Sequence, residues 1–166
     1  MKLNIKHAVP VALLSILAFS QSAMAETATA NFPISATISS TCSLGASGIN
    51  FGEVGTAGAT TSQTDGLGTI TVTCTTGGAY SIALDNGLHN VAAQRNAQSG
   101  SNILAYDLYK DPARGTVWTG AAAPVTGTGN AAAQVINVYG RIAAGLPFAA
   151  SSGTPYTDTV LVTLTY

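Results

Sequence analysis

Residues 26–38, ETATANFPISATI, alternate polar and apolar side chains without a break from Thr27 to Ile38. Successive side chains of a β-strand point to opposite faces, so this alternation predicts one long strand with an apolar face. Pro33 lies on the polar face and has no N–H to donate, which suits an edge strand or a kink between two pairing partners. This strand must bury its apolar face, which carries Ala28, Ala30, Phe32, Ile34, Ala36 and Ile38.

The alternating stretch leaves two interpretations open. Leading segments of secreted domains usually fray unless they are tied down, and exposing an apolar face to water is unfavourable. In the first interpretation, the stretch forms the first strand of its own domain. In the second, it adds as a strand to an open groove in another subunit.

Alternation with period two continues through the rest of the chain. Further strands are predicted at Ile49–Val54, Gly68–Thr75, Tyr80–Asp85, Ile103–Tyr109, Val117–Trp118, Gln134–Ile142 and Thr157–Tyr166. Turn signals such as Gly77-Gly78 and Asn86-Gly87 separate them, and no stretch has a competing helical period. Seven or eight short strands with frequent turns predict an all-β, immunoglobulin-like sandwich in one domain.

The first 25 residues have the three parts of a secretory signal peptide. Lys2 and Lys6 make a positive start, residues 8–19 are apolar, and Ala23-Met24-Ala25 is a small-x-small cleavage site. We therefore expect cleavage after Ala25 and export of residues 26–166. No apolar run reaches the roughly 18 residues that a membrane-spanning helix needs, so no membrane span is expected in the exported chain.

Export gives the two cysteines, Cys42 and Cys74, a specific interpretation. An oxidising compartment favours pairing them, and closing this loop would stabilise the fold by about 3.5 kcal/mol in the chain-entropy model. A metal site would need more ligands nearby, and a catalytic thiol would need a partner histidine. A structural disulfide is therefore the expected state.

Composition and motifs argue against nucleic-acid binding and against catalysis. The chain has 8% charged residues and a net charge of −1, without the basic stripe that neutralises phosphates. His89 is expected to be a solvated loop residue, and no GxSxG nucleophile elbow occurs. Asp107 and Asp111 are expected to lie at a strand end that turns through Asp111-Pro112 rather than to form a glycosidase pair. No enzyme activity, metal or cofactor is predicted.

Four aromatic side chains raise one alternative. Tyr106, Tyr109, Trp118 and Tyr139 could line a sugar site, which would make the protein a monomeric carbohydrate-binding module. A sandwich core also needs large aromatic side chains, however. We therefore expect these four residues in the core.

Seven short segments after residue 25 carry a resemblance to a known family. They are STCSL (40–44), INFG (49–52), GTITVTC (68–74), YSIALDNG (80–87), LAYDLYKD (104–111), YGRI (139–142) and GTPYTDTVLVTLTY (153–166). In their order and spacing they resemble the spore coat protein U family, which includes subunits of archaic chaperone–usher pili.

The resemblance implies an incomplete immunoglobulin-like sandwich that lacks its last strand and is completed by donor-strand complementation. It divides the chain into a signal peptide (1–25), a donor-strand extension (26–38) and the domain itself (39–166), although Ile38 could already belong to the domain. The implied donor residues are Ala28, Ala30, Phe32, Ile34 and Ala36. The implied groove wall, on the last strand, is Val160, Val162, Leu164 and Tyr166.

The function implied by the resemblance is that of a pilin in a surface fibre used for adhesion and biofilm formation. Its expected partners are identical or related pilins, a periplasmic chaperone that first fills the groove, and an outer-membrane usher. The expected location is the cell surface, reached through the periplasm. A secreted, spore-coat-like structural protein that assembles without an usher is the alternative within the same family.

Overall fold

A computed structural model describes residues 24–57, 60–120, 122–147 and 154–166. The predicted signal peptide lies outside the described residues except for Met24 and Ala25. The chain divides into an N-terminal unit that ends at Thr37 and a second unit from Ile38 to Tyr166. The described residues contain no helix, and their ten strands all lie in the second unit: β1 (Cys42–Ser47), β2 (Thr56–Ala57), β3 (Thr60–Thr61), β4 (Thr64–Cys74), β5 (Ala79–Leu84), β6 (Arg95–Ser99), β7 (Asn102–Tyr109), β8 (Val125–Thr128), β9 (Gln134–Ile142) and β10 (Val162–Thr165).

Two antiparallel sheets of unequal width make up the second unit. The wider sheet has five strands in the order β1-β4-β9-β7-β6, and the narrower sheet has three in the order β10-β5-β8. The short strands β2 and β3 form a separate hairpin. The two sheets share one apolar core, so the expected all-β, immunoglobulin-like sandwich is confirmed.

The core is built from side chains that alternate strictly between buried and outward-facing positions along the central strands. In β4 the buried positions are Gly68, Ile70, Val72 and Cys74, and the residues between them face outward. In β5, Ile82 and Leu84 are buried in the same way. Full burial of such side chains stabilises the fold by roughly 1.5–3 kcal/mol each, so these strands form the most stable part of the sandwich.

Four predicted strands are confirmed, and they correspond to β4, β5, β7 and β9. Val117–Trp118 forms only an isolated bridge, in which Val117 pairs with Tyr109. The last strand is shorter than predicted because Thr157 pairs with Gln98 of the wider sheet, whereas the ladder with β5 begins at Val162. Strands β1, β6 and β8 have weak alternation and were not expected.

The strand predicted at Ile49–Val54 is wrong, and two glycines explain what these residues do instead. Gly66 of β4 and Gly140 of β9 are direct cross-strand partners on the inner face of the wider sheet. Without Cβ atoms they leave a notch that Ile49 and Phe51 fill. Both apolar side chains are therefore packed against the core without any strand pairing. We call Gly66 and Gly140 the glycine notch.

Residues 27–38, predicted to form a long strand, pair with no strand within the described part of this chain, and a strand formed with another subunit stays a prediction. Residues 24–40 have no strand, and every one of them is exposed. Phe32 and Ile34 keep 87% and 85% of their surface in solvent. A strand is defined by backbone hydrogen bonds to a neighbouring strand, and residues 24–40 make no such ladder here.

A bulky residue in the glycine notch is expected to destabilise the domain. A Cβ at position 140 would lie 2.8 Å from Cζ of Phe51 and 2.9 Å from Cδ1 of Ile49, so Gly140→Val should expel these side chains and cost about 1–3 kcal/mol. Gly45→Val in β1 is the matched control, because a Cβ there meets nothing within 4 Å. Urea unfolding of both variants tests this, and equal midpoints would contradict it.

Candidate functional site

A cavity of about 1080 Å³ opens between the two sheets. The wider sheet lines it with inner-face residues from all five strands, among them Ile70, Leu104 and Val138. The narrower sheet contributes Leu84 of β5 and Val162 of β10, which are direct cross-strand partners. Because strands lie about 4.8 Å apart, a three-stranded sheet leaves roughly two strand widths of a five-stranded face uncovered. We call this cavity the groove.

The segment 46–54 forms one side of the groove, and the segment that leads into β10 forms the other. On the first side Ile49, Phe51 and Val54 are only partly buried. On the second side Val160 and Val162 present apolar side chains. The groove is thus apolar along both sides and along its floor, which suits an apolar occupant.

The open edge of β10 adds backbone hydrogen-bonding groups to this surface. β10 pairs with β5 on one side, and no strand among the described residues pairs with its other edge. The backbone of Leu161 faces the β5 side, since its C=O accepts from Asp85 N–H at 3.0 Å. Antiparallel strands alternate these directions, so the N–H and C=O of Val160 and Val162 face the open edge.

The four residues predicted as the groove wall lie in different surroundings. Val160 and Val162 line the groove, and Leu164 packs against the core from the same face. Tyr166, the last residue, is 60% exposed. The predicted alternation holds, because Leu161 on the other face is 63% exposed. Their role as a wall for a donor strand stays a prediction.

The five residues predicted as donors lie in the exposed N-terminal unit. They share one face of the alternating pattern, and none of them is in a strand: Ala28, Ala30, Phe32, Ile34 and Ala36. Their exposure leaves this apolar face available to a partner, and the donor role stays a prediction.

The predicted disulfide is present between Cys42 and Cys74. The two residues are direct partners in the β1–β4 ladder, with Cα atoms 4.1 Å apart. Cys42 is the first residue of β1, and Cys74 is the last residue of β4. The disulfide therefore ties the edge strand that begins the sandwich to a central strand of the wider sheet.

A polar cluster closes one end of the groove around the carboxylate of Asp158. The Tyr106 hydroxyl donates to Asp158 Oδ2 at 2.6 Å, and His89 Nδ1 lies 3.1 Å from Oδ1. Burial, together with this carboxylate, raises the pKa of Tyr106 far above its usual range, so the phenol keeps its proton. His89 was expected to be solvated, and this expectation is wrong: its side chain is 28% exposed and contacts Asp158.

Arg95 extends the polar cluster beside Tyr106, its partner in the β6–β7 ladder. It is 3% exposed, and its Nε and Nη2 donate to the Asp85 carbonyl at 3.0 and 2.6 Å. Burial lowers the pKa of Arg95, because desolvation disfavours the charged form. Sequence reasoning missed this cluster, since its members lie on separate elements and no local motif marks them.

The four aromatic residues expected in the core divide into two pairs. Tyr106 and Trp118 are buried, as expected. Tyr109 and Tyr139 are direct partners between β7 and β9 and alternate with buried neighbours, so they lie on the outer face of the wider sheet. For these two the expectation is wrong. The Arg114 guanidinium stacks over the Tyr139 ring, 5.7 Å from its centroid.

Asp111 lies in a turn, as expected from the sequence. Its carboxylate accepts from the backbone N–H groups of Gly115 at 3.0 Å and Thr116 at 2.7 Å, and these bonds lower the pKa of Asp111. The described ranges contain no group of three or more His, Cys, Asp or Glu side chains placed to hold a metal ion. In the same ranges, no helix is long and apolar enough to cross a membrane.

Comparisons with known proteins place this geometry in context. The family model of the Spore Coat Protein U domain matches residues 28–163. No curated protein is detectably similar in sequence. The chain is similar, with a TM-score of 0.57 and 23% identity, to a chain in the crystal structure of the CsuC–CsuE chaperone–tip adhesion subunit pre-assembly complex from archaic chaperone–usher Csu pili of Acinetobacter baumannii. The match covers 78% of this chain and 40% of that chain, and it shows a shared fold.

Removing the disulfide is expected to weaken the domain. A Cys42→Ser, Cys74→Ser double variant should lose about 3.5 kcal/mol of unfolding free energy, because the unfolded chain regains the entropy of a long loop. Urea unfolding of residues 26–166 with and without dithiothreitol measures this. Reductant should lower the midpoint of the unmodified chain and leave that of the double variant unchanged. If dithiothreitol lowered the urea midpoint of both proteins equally, its effect could not come from the Cys42–Cys74 disulfide, and the disulfide assignment would be contradicted.

Proposed function

Because the chain belongs to the Spore Coat Protein U domain family, we propose that it is a structural, non-catalytic pilin, assembled into a surface fibre by an archaic chaperone–usher pathway. In this proposal each subunit donates its N-terminal extension to the groove of the next subunit. The observation that carries the proposal is the open groove beside β10, which combines an apolar floor with an unpaired strand edge.

The groove has the geometry that an added strand requires. A strand placed beside β10 would become the fourth strand of the narrower sheet and would cover part of the wider sheet's uncovered face. Its backbone would bond to the outward N–H and C=O groups of Val160 and Val162. Each such hydrogen bond contributes roughly 1 kcal/mol net, so a short ladder already gives substantial affinity.

The N-terminal extension has the matching chemistry. Its apolar residues lie on one face and are exposed, with Phe32 and Ile34 as the two large side chains. Burying these two in the groove of a neighbour would contribute roughly 1.5–3 kcal/mol each, and the alanines less. The extension therefore has the apolar face that an added strand would need in the groove of another subunit.

The groove also supports a role for a chaperone. An apolar groove with an open strand edge is a site for aggregation until something occupies it. The solved complex to which the chain is similar pairs a chaperone with a tip adhesion subunit before assembly. We infer that a periplasmic chaperone fills this groove first and that an outer-membrane usher exchanges it for the next subunit. Adhesion and biofilm formation would be the roles of the finished fibre at the cell surface.

The donor role is tested by a charge on the apolar face of the extension. Phe32→Asp should leave the domain folded but abolish fibre growth, because a carboxylate cannot be buried in an apolar groove without a large cost. Asn31→Asp adds the same charge one residue away, on the opposite face, and should still polymerise. Both variants would be coexpressed with the cognate chaperone and usher, and fibres counted by electron microscopy.

Three outcomes would count against this function. Fibres of normal length from Phe32→Asp would show that the extension is not the donor. Unfolding of Phe32→Asp within its chaperone complex would show that the extension belongs to its own domain. Assembly of normal fibres without the usher would favour the spore-coat-like alternative.

The chaperone is tested by expressing residues 26–166 in the periplasm with and without it. We expect a soluble one-to-one complex in its presence and aggregation or degradation in its absence, because the groove would remain open. Size-exclusion chromatography measures both states. A heat-resistant monomer without the chaperone would contradict the assembly model.

A further inference from the structure

The side of the groove that leads into β10 runs from the wider sheet, at Thr157, toward the narrower sheet, whose ladder begins at Val162. Thr157 belongs to the wider sheet, since its C=O accepts from Gln98 N–H at 2.9 Å and its N–H donates to the Gln98 carbonyl at 3.1 Å. Thr159 lies next to the narrower sheet, since its C=O accepts from Leu88 N–H at 3.0 Å, in the loop that follows β5. Asp158 is the crossing residue between them.

The carboxylate of Asp158 joins the same two sheets a second time. Oδ2 accepts from the Tyr106 hydroxyl, on β7 of the wider sheet. Oδ1 accepts from the backbone N–H groups of Leu88 at 3.0 Å and His89 at 3.2 Å, in the loop that follows β5 of the narrower sheet. The Asp158 side chain is 3% exposed, so these bonds replace nearly all of its hydration.

The loop after β5 is shaped around this carboxylate. Gly87 has a positive φ of 81°, and any Cβ at this position would collide with Asp158 Oδ2. The Asp85 carboxylate holds the loop from the other side, because its Oδ1 accepts from Gly87 N–H at 2.9 Å and from Leu161 N–H at 2.9 Å. Two carboxylates thus connect the loop to the segment that becomes β10.

These contacts oppose the natural tendency of an empty groove. Apolar walls that face each other across water gain free energy by closing, and Val160 and Val162 lie on such a wall. Moving this segment inward would break the hydrogen bonds of Asp158 and leave a buried carboxylate without partners, which is strongly unfavourable. Directional bonds therefore hold the wall where non-directional apolar attraction would collapse it.

We propose that Asp158 is a positioning residue for donor-strand binding: its carboxylate fixes the separation of the two sheets at this end of the groove and keeps the open edge before β10 ready for a donor. The inference rests on the proposed function. Tyr106 and the N–H groups of Leu88 and His89 are the partners through which Asp158 acts. Preorganisation of this kind raises the rate of association, because binding then needs no prior conformational change.

The test uses residues 26–166 carrying Phe32→Asp, so that the chain's own extension does not compete. A fluorescent peptide of residues 26–38 is added to the freshly refolded chain, and its association and dissociation rates are followed by anisotropy. Asp158→Ala should slow association about tenfold, because the population of chains with an open groove would fall by about that factor. Asp158→Asn keeps an oxygen acceptor for the two loop N–H groups and should recover the rate to within about threefold of the parent.

Two further variants separate positioning from general stability. Tyr106→Phe removes a single hydrogen bond and should slow association about threefold, with little change in dissociation, because a bound donor itself holds the sheets apart. Asp107→Ala is the matched control, since it removes the carboxylate next to Tyr106 on β7, which does not line the groove. This control should bind the peptide at the parental rate.

Each outcome decides between two alternatives. Parental association rates in Asp158→Ala would overturn the inference, as would equal changes in association and dissociation without recovery in Asp158→Asn. If Asp158→Ala does not fold, Asp158→Asn and Tyr106→Phe decide, and parental rates in both would overturn it. If the parent chain binds no peptide at all, the proposed function fails, and this inference fails with it.

Discussion

The structure depends on one mismatch: a five-stranded sheet packs against a three-stranded sheet. Every buried apolar face needs a cover, and every strand edge needs hydrogen-bond partners or solvent. Where the narrower sheet ends at β10, an uncovered apolar face and an unpaired strand edge occur at the same place. The groove, with its apolar floor and its open backbone edge, is the direct result of this mismatch.

The remaining features stabilise the sandwich around the groove. The glycine notch lets Ile49 and Phe51 cover part of the exposed inner face without forming a strand. The disulfide ties the first edge strand to a central strand, at the side of the wider sheet farthest from β6. At the other side, Asp158 and its partners hold the crossing segment. The domain thus resists both unfolding and collapse while one strand position stays open.

Sequence patterns predicted the regular part of this fold well. Strands β4, β5, β7 and β9 have strong alternation and buried inner faces, so their own residues specify them. The strand predicted at Ile49–Val54 shows the limit, because an alternating pattern cannot reveal that two glycines will receive its apolar side chains. Tyr109 and Tyr139 were misplaced for a similar reason, since aromatic character does not say which face of a sheet a residue occupies.

By itself, the sequence determined the all-β class, the pairing of its two cysteines, and the presence of an apolar face on residues 26–38. These are local properties, set by alternation with period two and by residue chemistry. Only the tertiary structure decided where the sheets end and which side chains meet at the groove. The contacts of Asp158 with Tyr106 and His89 span 52 and 69 residues of chain, and a separation of that length leaves no local pattern to read.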